Sequence, residues 1–192
     1  MSDRLARTPA DDAPLTAKAH DPDISHLGYV STRPGEVLVG RSVTIDCPRE
    51  QLYVYWRNFE NLPRFMHNIL RVAVIDATRS LWLVAAPAGK TVQWLSSIAV
   101  DQPGHLIAWE SEEGASIRNS GMVEFKESPE RRGTVVTVTL SYDPPGGSVG
   151  QLIAKLFHKE PKIQARRDLR RFKQLMETGE VSTAMSPYGS TE

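Results

Sequence analysis

The feature that most constrains this chain is an amphipathic run near its C-terminus, from Gly146 to Gly179. Apolar residues fall at Val149, Leu152, Ile153, Leu156 and Phe157, the i, i+3, i+4, i+7, i+8 spacing of one buried helical face. The pattern resumes after Pro161 at Leu169, Phe172, Leu175 and Met176. Proline cannot donate to a carbonyl one turn back, so Pro161 predicts a kink or a fresh helix start. Gly179 supplies a C-terminal stop. Just upstream, Val136, Val138, Leu140 and Tyr142 alternate as a half-buried strand does. Pro144-Pro145-Gly146-Gly147 ends that strand. A helix with one wide apolar face, arriving after strands, needs a sheet to lie on.

The upstream sequence supplies one. Val37 to Cys47 reads as a first strand, and Pro48 with Glu50 as a helix start. Leu52, Tyr53, Trp56 and Phe59 form one short apolar stripe, and Leu62, Phe65, Met66 and Ile69 a second. Pro63 between them predicts two short helices. Ile69 to Asp76 and Ser80 to Ala86 read as a hairpin. Further strands follow at Thr91 to Asp101, His105 to Ser111, Ala115 to Glu127 and Thr134 to Tyr142. In the first of these, Val92, Trp94, Ser96, Ile98 and Val100 share a face. Turns this short imply antiparallel pairing, because parallel strands need a long crossover. Each strand has one apolar and one polar face, so one side of the sheet is expected to meet solvent. The fold class is therefore α+β: a curved antiparallel sheet of about seven strands wrapped on a long C-terminal helix. The space between sheet and helix, roofed by the two short helices, is the natural ligand site.

The chain has 192 residues, which suits one domain with tails. Residues 36–180 are the expected domain. Residues 1–35 read as a flexible N-terminal tail, although Leu27, Tyr29 and Val30 give it side chains that could dock. Residues 181–192 read as a second tail. Net charge is +0, so no global field draws the chain to nucleic acid or a membrane surface. A single cysteine, Cys47, excludes an internal disulfide and fits a reducing compartment. No apolar run is long enough to span a bilayer, and the N-terminus lacks a signal-peptide core, so a cytoplasmic location is expected.

Several stretches carry a resemblance. They are Trp56-x-x-Phe59-x-x-Leu62-Pro63-x-Phe65-Met66, Val92-x-Trp94, and Asp101-x-Pro103-Gly104 with Ile107-x-Trp109-x-Ser111. Asn119-x-Gly121-x-Val123-x-Phe125, Arg132-Gly133-Thr134 and Tyr142-x-Pro144-Pro145-Gly146-Gly147 follow, then Asp168-Leu169-x-x-Phe172-Lys173 with Glu177-Thr178-Gly179-Glu180. Over residues 38–180 the chain resembles the polyketide cyclase/dehydrase family of the START/Bet v 1-like (SRPBCC, helix-grip) superfamily. The resemblance implies a helix-grip fold and binding of a hydrophobic small molecule such as a lipid or polyketide. It also leaves open aromatase/cyclase or dehydratase chemistry, or a protein-interaction module working through the terminal helix.

The candidate site lies on the inferred concave face: Trp82, Val84, Trp94, Ser96, Ile98, Trp109, Asn119, Val123 and Phe125, with Leu156 from the helix. A cavity needs mostly apolar walls and a few polar atoms that fix orientation. Arg118, tempting as an electrophile, alternates away from Asn119 toward solvent. Gly146-Gly147-Ser148-Val149-Gly150 fits a nucleophile elbow, but His158 and Asp168 follow it in the wrong order and the parallel sheet is missing. The glycines then free a turn, and Ser148 caps the helix. The histidines show no ligand spacing, so no metal is expected. No glycine-rich nucleotide pattern is present, so no cofactor is expected either. No catalytic residue is assigned. The terminal helix carries a basic face at Lys162, Arg166, Arg170 and Lys173, suited to peripheral contact with anionic headgroups or an acidic partner. That face lacks the interleaved aromatics of a nucleic-acid surface.

Overall fold

The computed structural model describes residues 37–86, 89–129, 133–143 and 161–181. Strand β1 (Val37–Ile45) leads into helix α1 (Arg49–Arg57) and a 3-10 helix (Phe59–Arg64). Six strands follow: β2 (Ile69–Val74), β3 (Arg79–Ala85), β4 (Thr91–Gln102), β5 (Leu106–Ser111), β6 (Arg118–Glu127) and β7 (Thr134–Asp143). Helix α2 (Pro161–Thr178) closes the described chain. The sheet order is β1-β7-β6-β5-β4-β3-β2, with every neighbouring pair antiparallel. This is the helix-grip arrangement that the sequence implies. The expected helical segment 146–160, including Leu156 and Ser148, lies outside the described residues, as do the expected N-terminal tail and residues 182–192 of the C-terminal one; Val181, expected in that tail, packs against the core.

Helix α2 buries Leu169, Phe172 and Leu175 on the sheet, with Met176 half-buried beside them. Phe172 meets Trp56 edge-on at 5.0 Å and Phe65 at 4.7 Å between ring centroids. Full burial of such a ring contributes about 1.5–3 kcal/mol. Polar contacts then fix the helix along its length. Lys173 Nζ donates to the Thr44 carbonyl at 2.6 Å, and the Asp46 amide donates to Glu177 Oε1 at 2.7 Å. Nearer the start of α2, Asp168 Oδ1 accepts from the His67 amide at 3.2 Å and from Gln164 Nε2 at 2.8 Å. Gly179 ends the helix with φ 79°, a left-handed value that glycine adopts without Cβ cost.

Local differences from the sequence reading have physical causes. The break between the two short helices falls at Asn58, not at Pro63. Asn58 Oδ1 accepts the Glu60 amide at 3.2 Å and so starts a new helix, which Pro63 then occupies. A register shift between Ile98 and Val100 rotates the end of β4. Ile98 pairs with inward Trp109, but Val100 pairs with Ala108 on the other side of the sheet. At the far end of the sheet, Gly133 (φ 81°) rests against β1. A Cβ there would lie 2.0 Å from the Ile45 carbonyl oxygen, so no other residue fits without moving β1.

The outward face of the sheet is the main correction. Strand alternation predicts that it meets solvent, yet its centre is buried. Gly40, Thr139, Met122, Ala108 and Val100 are successive cross-strand partners on β1, β7, β6, β5 and β4. Met122 and Ala108 are fully buried, and Thr139 is 4% exposed. Leu106, Ser120 and Ser141 beside this row are buried too. Leu106, Ala108 and Met122 form a small apolar cluster, with Val100 against it, separate from the main core.

Candidate functional site: a tryptophan-walled cavity

Three tryptophans on adjacent strands are the centre of the concave face. Trp82 on β3 and Trp94 on β4 are direct cross-strand partners, with ring centroids 6.3 Å apart and planes 17° from parallel. Trp82 and Trp109 lie 6.1 Å apart at 18°. Alternation places all three on one face, and strand pairing sets them side by side. Phe59 from the 3-10 helix closes the inner side, edge-on to Trp82 at 5.5 Å and to Trp109 at 5.9 Å. Gly121 makes room for the third ring: a Cβ there would sit 2.3 Å from Trp109 Cζ2. The glycine of the Asn119-x-Gly121 pair thus serves close packing of an indole on the β6 backbone.

Between these rings and β7 lies a cavity of about 130 Å³. Trp82, Val84, Trp94, Trp109 and Asn119 of the expected set line it. Met66, Asn68 and Ile69 add one wall from the segment entering β2, and Ile117, Leu140 and Tyr142 add another. Ser120 and Ser141 complete the lining. Leu140 and Tyr142 were within reach of sequence reasoning, because β7 alternation puts them on the same inward face. Met66 and Asn68 carry no such signal, since their position depends on how the 3-10 helix hands over to β2.

Four expected site residues lie elsewhere. The Ser96 hydroxyl donates to the Glu110 carbonyl at 2.8 Å, so it serves the β4–β5 junction. Val123 and Phe125 are fully buried in the main core, Phe125 beneath Tyr53 and Trp56 at 6.1 and 6.4 Å. Ile98 packs on that same core. Arg118 is exposed, as alternation requires. Arg166 and Arg170 of the basic helix face are exposed as well.

The polar atoms of the cavity are few. Trp82 Nε1 donates to Ser80 Oγ at 2.9 Å. Asn119 Nδ2 donates to the Ile117 carbonyl at 3.3 Å, and the Asn119 amide donates to Ser111 Oγ at 3.1 Å. Trp94 Nε1 is buried and has no partner among the described residues. Such a donor is costly in an apolar setting unless something accepts from it. Tyr142 is the one titratable side chain among the described wall residues, and burial holds its phenol proton more tightly than usual. General acid–base catalysis needs a pair of groups within reach of one substrate position, and the described wall residues include no carboxylate, histidine or lysine. Among the described residues, no cluster of three His, Cys, Asp or Glu side chains could hold a metal ion.

Other charged networks lie outside the cavity. Asp101 accepts from the Tyr53 hydroxyl and, at 2.7 Å, from Arg57 Nε, tying α1 to β4. Burial and the Asp101 carboxylate push the Tyr53 phenol up to about 12. Burial raises the Asp168 carboxyl to about 6, against the lowering effect of the His67 and Gln164 hydrogen bonds and the Arg171 charge. No described helix is long and apolar enough to cross a membrane.

Comparison with known proteins places this architecture. A crystal structure of DR_A0006 from Deinococcus radiodurans is 42% identical, with a TM-score of 0.62 over 75% of this chain and 100% of that one. TTHA0849 from Thermus thermophilus is 28% identical, with a TM-score of 0.57 over 72% and 94% of the two chains. The Zhui aromatase/cyclase from Streptomyces shares the fold at 12% identity, with a TM-score of 0.57 over 77% and 99%. Among curated proteins, none matches the chain. The model of the family described as "Polyketide cyclase / dehydrase and lipid transport" matches residues 45–170, most of the described domain. With the sheet, the gripped helix and the apolar cavity all in place, the chain belongs to the polyketide cyclase/dehydrase and lipid transport family.

Proposed function

We propose that the protein binds a compact, neutral and mostly apolar small molecule in the tryptophan-walled cavity, and that binding rather than catalysis is its role. The observation that carries this reading is the buried, unpartnered N–H of Trp94, a residue of a mostly apolar wall. An apolar ligand with one acceptor oxygen would bury against the indoles and satisfy that donor. Size narrows the class. At about 130 Å³ the cavity is well below the ~300–1,000 Å³ of sites for drug-sized ligands. It is close to the ~150 Å³ engineered cavity that takes benzene. A single ring or short acyl group fits; a full lipid or polycyclic polyketide requires the walls to part. Charged ligands are disfavoured, because no described wall residue is a cation.

Tryptophan fluorescence titrated with acetophenone, toluene, benzoate and palmitate tests this, alongside native mass spectrometry of freshly purified protein. Saturable quenching by acetophenone, weaker response to benzoate, and a co-purified apolar molecule are expected. No saturable response to any neutral ligand, with no co-purified molecule, would overturn the reading.

A second reading, cyclisation or dehydration, draws on Tyr142, whose retained proton suits a general acid. Tyr142→Phe separates the two: a catalyst loses turnover, whereas a binder keeps its affinity within a small factor.

A further inference from the structure

The described cavity walls differ in how they are held. The indole wall and the β6–β7 wall stand on strands paired on both sides. Met66 and Asn68 instead stand on the connection between the 3-10 helix and β2, before the sheet begins at Ile69. Strand β2 is an edge strand, and its register shifts between Ile69 and Arg71. The backbone of this connection is held locally. The Met66 amide donates to the Leu62 carbonyl at 2.8 Å, and the Ile69 amide to the Met66 carbonyl at 3.2 Å. The Ala85 amide of β3 donates to the Asn68 carbonyl at 2.8 Å.

A polar tie to α2 runs through Asp168. Its Oδ1 accepts from the amide of His67, the residue between the two wall residues, at 3.2 Å. A planar peptide joins that nitrogen to the Met66 carbonyl carbon, so fixing one fixes the other. Gln164, one turn back on α2, donates to the same oxygen at 2.8 Å and orients the carboxylate. One turn onward, Phe172 lies 4.7 Å from Phe65. Asp168 itself is not among the described lining residues.

We propose that Asp168 is a size-determining residue of the cavity: by holding the His67 amide it fixes the Met66–Asn68 wall and limits the ligand to a single ring or short acyl group. Asp168 is a positioning residue, acting through the His67 amide, and its role in size rests on the ligand reading above. A small ligand fits with the wall held or displaced. A longer one binds only the displaced state, so its apparent affinity scales with the fraction of molecules in that state. Met66 is unbranched and flexible, which suits it to a wall that yields.

The test compares the full-length parent with Asp168→Ala and Asp168→Asn, using acetophenone and octanophenone as probes and amide hydrogen exchange as a ligand-free readout. In Asp168→Ala the Ile69 and Ala85 amides, whose own acceptors the substitution leaves in place, should exchange faster on the order of tenfold, with β5–β6 amides unchanged. Octanophenone affinity should rise by the same factor, while acetophenone affinity stays within about threefold. Asp168→Asn keeps an oxygen for the His67 amide and should restore the parent pattern in both readouts. Unchanged exchange at Ile69 and Ala85, an equal change for the two ketones, or no rescue by asparagine would overturn the assignment. If neither ketone binds the parent, the ligand reading falls, and the exchange rates still decide whether Asp168 holds the wall. Should the alanine variant not fold, Asp168→Glu, which displaces the oxygens by a methylene, should show the same shifts in smaller measure; no shift there would overturn the assignment equally.

Discussion

Trp82 and Trp94 face each other directly across the β3–β4 pair with rings 17° from parallel, yet only one of the two indole N–H groups has a described partner. Ser80 accepts from Trp82, whereas the Trp94 side chain lines the cavity with a donor that no described residue accepts from. Two residues of the same type in adjacent positions therefore differ: the Trp82 donor is held by Ser80, and the Trp94 donor is buried without a partner among the described residues.

Trp94→Phe deletes the orphan donor and keeps most of the ring. Lost area and the relieved donor oppose each other, so stability should stay within about 1 kcal/mol of the parent. Affinity for acetophenone should fall by about 0.5–1.5 kcal/mol, roughly 2- to 10-fold, while affinity for toluene barely changes. Calorimetric titration of both ligands measures the difference, and equal losses would remove the indole N–H from recognition.

Gly121→Ala drives a methyl into Trp109, which is locked between Phe59 and β6. Overpacking of this kind costs about 1–3 kcal/mol. Urea denaturation should show a lower midpoint with an unchanged slope. Because Trp109 must tilt, the tryptophan emission maximum should shift in the folded variant.

Asp168 makes stability depend on pH in the direction opposite to most acidic groups. Its folded-state value of about 6 exceeds the ordinary 3.8, so the folded protein holds the proton more tightly than the unfolded chain. The stability it contributes is present below about pH 4 and is lost as pH rises through about 6. Asp168→Asn keeps an acceptor for the His67 amide and removes the buried charge. The variant should gain on the parent at pH 8 and lose that advantage at pH 4, as read by chemical denaturation at both pH values. A constant difference would contradict the assignment.

Asp101→Ala strands the half-buried Tyr53 hydroxyl and unpairs Arg57 from β4. An unsatisfied buried hydroxyl costs about 1–3 kcal/mol. The phenol should then titrate closer to 10, because the carboxylate that helps hold its proton is gone. Ultraviolet difference titration of the parent and variant checks both points together with thermal melting.

Much of this was legible in the sequence because period-two alternation is a local signal. The run of strands and the three inward tryptophans follow from it, and the buried stripe of α2 follows from the equally local 3.6-residue period. What was not legible depends on contacts between distant segments. The register shift at Ala99 reverses Val100 and is set by pairing with β5, not by the β4 sequence. Phe125 alternates with the tryptophans but sits under α1, so its face was readable and its neighbour was not. Ser96 looked like a polar point for a ligand until the Glu110 carbonyl came within reach. The outward burial of Met122 was masked by flanking Ser120 and Glu124, which read as a solvent face.

The pairing of β1 with β7 has a consequence for how the molecule is made. Among the described strands, the first in the chain has the last as its sheet neighbour, and Gly133 presses the turn before β7 onto Ile45. During synthesis β1 must wait, unpaired, until nearly the whole domain has emerged. Such long-range closure slows folding and exposes an edge in the meantime, so nascent chains halted before Thr134 should be the ones that chaperones retain.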